Sequence, residues 1–243
     1  MNFTAMIPAR YAASRFPGKL LQDLGGKPVI VRTYEAVVAS ELFDQIYVVT
    51  DDTTIGEVVR INGGNVLYSR KEHQSGSDRL AEACEDLDTD IIVNIQGDEP
   101  FTHKDSLKLL LDIFRNDCEY KVDVATLMEK IADPEDIANP NNVKVVTDLA
   151  NNALYFSRAF VPFPRDKNSD YPHYKHIGIY AYRKEALMAF TKMEASPLEK
   201  LEKLEQLRFL ENGYRIRLAI TPHSTIGIDT PEDLIKARNL ISK

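Results

Sequence analysis

The sequence predicts an α/β fold: a mixed, mostly parallel sheet with helices on both faces and a smaller inserted lobe. Three observations predict it. Apolar, β-branched runs alternate with amphipathic helical periods through the first half, which is the order of a doubly wound sheet. Runs such as IIVNI and YVVT are almost wholly apolar, as strands covered on both faces are. The second half has several strands in succession, so a lobe around residues 120–215 is expected within what is otherwise one domain of 243 residues.

In chain order, strands are expected at Phe3–Ile7, Gln45–Thr50, Val66–Tyr68, Ile91–Ile95, Val122–Leu127, Val143–Thr147, Ile177–Tyr182 and Ile216–Ile220. Helices are expected at Val29–Ser40, Thr53–Asn62, Asp78–Leu87, Asp105–Asn116, Pro197–Glu211 and Pro231–Ile241. Ser196-Pro197-Leu198-Glu199 reads as a capping box with proline in the first turn. The helix it opens carries Leu198, Leu201, Leu204, Leu207 and Leu210 and stops at Asn212-Gly213. A spacing of three spreads the apolar face, so it reads as a helix buried over a wide side. Phe160–Lys175, rich in Pro, Asp, Lys and Tyr, reads as a long loop, and such loops are often functional.

Composition excludes several classes. A net charge of −7 argues against a general nucleic-acid binder, which needs a broad basic face. No apolar run approaches the ~20 residues of a membrane span, and the N-terminus lacks a signal-peptide pattern. Cys84 and Cys118 fall in expected helices without CxxC spacing. They read as reduced structural thiols of a cytoplasmic protein. His173 and His176 are spaced i,i+3, which is poor evidence for a metal site on its own.

Four segments sit at strand ends, where ligands bind in such sheets. The first is IPARYAASRFPGK (7–19), with Arg10, Arg15 and Lys19 and no acid. Small residues let backbone N–H groups approach phosphate oxygens, and the cations neutralise them. It is neither GxxxxGK[ST] nor GxGxxG, which removes the two commonest phosphate-loop readings. The second, Gln96-Gly97-Asp98-Glu99-Pro100, could present a carboxylate to Mg²⁺ or be a polar turn. The third, Gly227-Ile228-Asp229-Thr230-Pro231-Glu232-Asp233, could be a plain helix start with Thr230 as cap. Asp133-Pro134-Glu135-Asp136 is a helix start of that kind. Asp229 differs by preceding the cap. The fourth, His73–Arg79, could hold a ribose or base edge, or be a helix capped by Ser77 or Asp78. Together a cationic loop and two strand-end carboxylates suit metal-assisted phosphoryl or nucleotidyl transfer.

The chain resembles the 3-deoxy-D-manno-octulosonate (Kdo) cytidylyltransferases, also called CMP-Kdo synthetases. The resemblance rests on IPARYAASRFPGK (7–19), HQSGSDRLAEA (73–83), IVNIQGDEP (92–100), NPNNVKVV (139–146), ALYFSRA (153–159), HIGIYAYR (176–183), SPLEKLEKLEQLR (196–208) and GIDTPEDL (227–234). Phe16, Leu20 and Ser77 are conservative departures from the family pattern. The resemblance implies a Rossmann-like nucleotidyltransferase fold, a cytoplasmic homodimer and Mg²⁺ dependence. It also implies the reaction CTP + Kdo → CMP-Kdo + pyrophosphate, serving lipopolysaccharide assembly in a Gram-negative-type bacterium. Carried over by residue, it implies that Arg10, Arg15 and Lys19 hold the triphosphate and that Asp98 and Asp229 ligate Mg²⁺. Ser75, Gly76 and Arg79 would lie near the nucleoside. Gln96, Arg158, His176, Tyr180, Glu205 and Gln206 are the candidates for the acidic sugar, with Tyr180 also readable as a core aromatic. The lobe would serve sugar binding and dimerisation.

The rivals are a cytidylyltransferase for another acidic sugar (8-amino-Kdo or a sialic acid), a catalytically silent nucleotide-binding protein, and a nicotinamide-dependent oxidoreductase. The missing GxGxxG disfavours the last. Retention of Asp98 and Asp229 disfavours the second.

Overall fold

Strand β1, Phe3–Ala9, is the spine of the first of two units, Met1–Leu107 with Thr225–Lys243; the second is Lys108–Ser224. The computed structural model describes residues 1–12, 15–70, 73, 76–166 and 171–241. Phe3 to Ile7 are all buried, as a strand flanked on both edges requires. β2 (Gln45–Thr50), β3 (Val66–Tyr68) and β4 (Ile91–Asn94) join it in the order β3–β2–β1–β4, all parallel. β1 runs two residues past the expected end because Pro8 and Ala9 pair with Val49 and Thr50 of β2. The β4 register stops at Met6↔Asn94, so Pro8 lies where one side of the strand has no ladder to interrupt.

The helices of this unit follow their apolar stripes. α1 (Val29–Ala39) buries Val29, Ile30, Val31, Tyr34 and Val37. α2 (Thr53–Ile61) is capped by Asp52, which accepts from Ile55 N–H at 2.9 Å. α3 spans Gly76–Cys84 instead of Asp78–Leu87, so Ser77 and Asp78 sit inside its first turn and neither is the cap. An acid suits the positive end anywhere in a first turn, so the signal located the turn and not the residue. α4 (Lys104–Arg115) begins in the first unit and continues into the second, burying Leu107, Leu110, Leu111 and Phe114, each side chain contributing about 2 kcal/mol.

The second unit is built on β5, Val124–Lys130. After it come α5 (Pro134–Ala138), β6 (Lys144–Thr147), β7 (Ala153–Ser157) and β8 (Tyr174–Arg183). α6 (Lys184–Phe190), α7 (Pro197–Glu202), α8 (Gln206–Glu211) and β9 (Ile216–Ile220) complete it. β5 pairs antiparallel with β8 and parallel with β9, and β6 pairs antiparallel with β7 and β8, so the sheet here is mixed. β7 and α6 had no strand or helix assigned from sequence. Cys84 lies buried in α3, but exposed Cys118 follows α4 in a turn and not in a helix.

The expected helix Pro197–Glu211 is two helices. Lys203 adopts the left-handed conformation (φ 56°) and its N–H closes on Glu199 O at 2.8 Å. The cause lies in contacts that a periodicity does not show. Glu202 is fastened to β7, its carboxylate accepting from Ser157 Oγ at 2.6 Å and Arg158 N–H at 3.0 Å. The break lets Leu204 and Leu207 turn inward (6% and 0% exposed) while Leu201 stays 79% exposed. Glu199 accepts from Ser196 N–H at 3.0 Å, as the capping box expects.

Two buried charges brace this unit. The Lys144 ammonium donates to the carbonyls of Asn139, Asn142 and Arg158 (2.8, 2.6 and 2.8 Å), which accounts for the NPNNVK run. Asp117, 6% exposed, accepts from Lys121 N–H, Val122 N–H and Arg183 Nη2 at 3.0, 2.9 and 2.7 Å. Burial alone would raise its carboxyl, but these donors outweigh burial and hold it below its ordinary range. That stability is present above the ordinary carboxylate range and is lost as pH falls through the lowered folded-state value. Asp117→Ala is therefore expected to cost about 3 kcal/mol at neutral pH. Urea unfolding across pH should show the gap between variant and parent closing in acid.

The last helix, α9 (Pro231–Ile241), returns to the first unit with Leu234 and Ala237 buried. Thr230 caps it as the sequence indicates. Thr230 Oγ1 accepts from Asp233 N–H at 3.2 Å, and Asp233 accepts from the N–H groups of Asp229 and Thr230 at 3.2 and 3.1 Å.

Candidate active site

Backbone geometry places a cation between two carboxylates. The segment after β1 turns at Gly18, whose φ of +69° lies in the region that favours glycine. Gly18 N–H bonds Tyr11 O at 3.1 Å. A single 3₁₀ turn, Lys19–Leu21, follows, with Leu20 buried as its anchor. Lys19 is thereby sent back over the strand ends.

Asp98 is delivered by the chain leaving β4. A Cβ on Gly97 would stand 3.0 Å from Pro8 O and 3.2 Å from Ile30 Cδ1, so a larger residue would crowd this turn against β1. Gly97 O accepts from Thr33 Oγ1 at 2.8 Å, and Asp98 O accepts from Ile228 N–H at 2.9 Å. The second bond draws the segment before α9 alongside and sets Asp229 opposite Asp98.

Lys19 Nζ donates to Asp98 Oδ2 and, at 2.9 Å, to Asp229 Oδ1. Arg15 Nη2 reaches Asp229 Oδ2 at 2.9 Å. Burial of Lys19 lowers its pKa, but the two carboxylates outweigh burial and raise it above its ordinary value. These residues line a cleft of about 200 Å³ with Pro8, Arg10, Phe16 and Gln96. The opening loop, read from sequence as three cations awaiting one polyanion, thus has two of them engaged with carboxylates. Arg10 has no acidic partner among the described residues.

Glu99, unremarked in the sequence except as part of QGDEP, lies beside these acids. Burial first, then the charges of Asp98 and Asp229, push its carboxyl up to about 8. Among the described residues its Oε2 has no hydrogen-bond partner. Among the described residues no three His, Cys, Asp or Glu side chains are arranged to hold a metal ion. Asp98 and Asp229 alone offer hard oxygens to one cationic position, which suits Mg²⁺, an ion commonly bound by one or two carboxylates plus substrate oxygens.

At the start of α3, Gly76 is exposed. Arg79 is 6% exposed and ion-paired with Asp51 just beyond β2, Nη2 donating to Oδ2 at 3.0 Å and Nη1 lying 2.8 Å from Oδ1. Ser75 lies outside the described residues.

In the second unit, three of the sugar candidates converge. β8 bulges between Ile177 and Tyr180, which pair with the adjacent residues Leu127 and Thr126 of β5. Residues four apart on a regular strand stand about 13 Å apart. The bulge instead brings the His176 and Tyr180 rings to 5.1 Å. Burial lowers the His176 imidazole to about 3, so it is neutral, with Nε2 3.0 Å from Thr126 Oγ1. Burial, then the charges of Tyr182 and Glu205, raise Tyr180. Tyr180 also stacks on Tyr182 at 5.6 Å, so its packing role is real. Arg158 is less available, because Nε donates to Glu202 O at 2.9 Å and Nη1 to Pro140 O at 3.1 Å. Gln206 is buried in the first turn of α8. Gln96, in the first unit, lines the cleft.

A family model described as Cytidylyltransferase matches residues 4–216. The 3-deoxy-manno-octulosonate cytidylyltransferase of Flavobacterium johnsoniae is 54% identical over 241 residues, covering 99% of each chain. That of Christiangramia forsetii is likewise 54% identical, over 99% of this chain and 97% of its own. A solved structure of CMP:2-keto-3-deoxy-manno-octonic acid synthetase complexed with CTP matches with a TM-score of 0.94 at 39% identity, over 100% of this chain and 99% of that one.

Proposed function

We infer the working of this site from one premise: the chain belongs to the cytidylyltransferase family. It is a nucleotidyltransferase that transfers CMP from CTP to Kdo with release of pyrophosphate. The observation that carries the reading of the site is the ammonium of Lys19 held by two carboxylates that arrive from β4 and from the start of α9.

The anomeric hydroxyl of Kdo attacks the α-phosphorus of CTP in line with the departing pyrophosphate. Asp98 and Asp229 would hold Mg²⁺. When bound, the ion neutralises phosphate charge and lowers the pKa of the attacking hydroxyl. Arg10, Arg15 and Lys19 bind the triphosphate, Arg15 and Lys19 by exchanging a carboxylate for a phosphate oxygen. Lys19 then offsets the charge that grows on the leaving group. Gly76 and Arg79 border the nucleoside, with Arg79 fixed in place by Asp51.

For the sugar, His176, Tyr180, Glu205 and Gln206 are the chief candidates, with Gln96 and Arg158. His176, held neutral by burial, offers a hydrogen bond and no charge. The second unit would carry the sugar contacts and a homodimer surface, which light scattering tests as twice the chain mass. A cytoplasmic location is supported by Cys84 and Cys118, which form no disulfide. Among the described residues no helix is long and apolar enough to cross a membrane.

The test is pyrophosphate release, with CTP or UTP crossed with Kdo or its 8-amino analogue. Release is expected with CTP and Kdo and to need a divalent cation. UTP or the analogue should lower kcat/KM at least about tenfold. No release with CTP, Mg²⁺ and Kdo would overturn the reading.

A further inference from the structure

Glu82 of α3 plays no part in the chemistry above, yet it is among the most heavily bonded side chains of the first unit. One oxygen, Oε2, accepts from Ser69 Oγ at 2.9 Å and Arg70 N–H at 3.2 Å, and lies 2.6 Å from His73 Nε2. The Glu82 and His73 side chains are only 14% and 7% exposed. The carboxylate accepts only, so the His73 tautomer is the one with the proton on Nε2. All three partners lie in the short stretch that leaves β3 and leads to Gly76. Three residues earlier on α3, Arg79 is ion-paired with Asp51. Both contacts lie on one side of α3, as an i,i+3 spacing requires. One ties the helix to the chain leaving β2 and the other to the chain leaving β3.

A carboxylate that gathers Ser69, Arg70 and His73 fixes those three residues against α3. We propose that Glu82 is a positioning residue for the cytidine nucleotide, holding Ser69, Arg70 and His73 against the helix that begins at Gly76. This rests on the reading of Gly76 and the first turn of α3 as nucleoside contacts. Glu82 has no substrate or metal contact in this reading, so its loss acts on the fraction of molecules in which Ser69, Arg70 and His73 are held against α3. If that fraction falls to about a tenth, the apparent KM for CTP rises about tenfold and kcat does not.

The experiment compares kcat, KM for CTP and KM for Kdo in Glu82→Ala, Glu82→Gln, His73→Ala and Gly76→Leu, with thermal melting of each. Gln keeps an oxygen for Ser69 and Arg70, so Glu82→Gln should restore most of what Glu82→Ala loses. Among the described residues a Cβ on Gly76 would meet nothing nearer than Pro8 Cγ at 4.0 Å, so Gly76→Leu starts in open space, and its melting temperature checks that the latch is kept. Support is a roughly tenfold rise in KM for CTP in Glu82→Ala, with kcat and KM for Kdo within about threefold. An unchanged KM for CTP in Glu82→Ala beside a raised one in Gly76→Leu overturns the latch alone. No rise in either overturns the latch and the nucleoside reading together. A fall in kcat with KM for CTP unmoved means a merely structural role and also overturns it. If Glu82→Ala does not fold, His73→Ala decides by the same criteria.

Discussion

Asp98→Asn should lower kcat by about 10³-fold or more while the protein stays folded. The two outcomes separate because different atoms are responsible for each. The bonds that place residue 98 are made by backbone: Gly97 O with Thr33, and Asp98 O with Ile228 N–H. The amide variant keeps these bonds, so the melting temperature should move by no more than a few degrees. What it loses is a negative charge at the position proposed for the divalent cation. Lys19 loses its charged acceptor on that side as well. Single-turnover measurement with saturating CTP and Kdo is the check, and normal turnover would show that Asp98 has no part in catalysis.

Lys19→Ala should lower kcat/KM for CTP by about 10²-fold to 10³-fold, with both kcat and KM affected, if the ammonium acts as proposed in binding and on the leaving group. It also has a signature outside activity. Lys19 bridges Asp98 and Asp229, with only 12% of its side chain exposed. Removing it leaves the two carboxylates facing each other without their shared cation. The variant should therefore melt lower than the parent, and if Mg²⁺ binds at Asp98 and Asp229 as proposed, it should raise the variant's melting temperature more than the parent's, with no ammonium to displace. Lys19→Arg should not restore activity, since a planar fork does not replace a point charge between two oxygens. Equal Mg²⁺ shifts in parent and variant would separate the ammonium from the metal position.

Much of this was legible in the chain. β1 to β4 and the helices between them follow from runs of apolar and β-branched residues whose covered faces tolerate little else. Gly97 and Gly18 stand where a Cβ would be crowded or where φ is positive. Thr230 and Asp133 are caps at the positions the local pattern indicates. The leucines of Pro197–Glu211 were misleading for a definite reason: their spacing describes a single helix, whereas the path is set by Glu202 binding β7. Glu82 is invisible for the same reason, since its partners belong to another element.

The sequence by itself determined the alternating α/β order, the cationic loop after the first strand and the two separate acids, because each is written in neighbouring residues. Only the tertiary structure decided that Lys19 joins Asp98 to Asp229, that a β-bulge brings His176 to Tyr180, and that Glu99 is buried beside two charges. Those facts depend on which strand ends and turns are brought together, through backbone bonds such as Ile228 N–H to Asp98 O. Local periodicity carries no information about such distant partners.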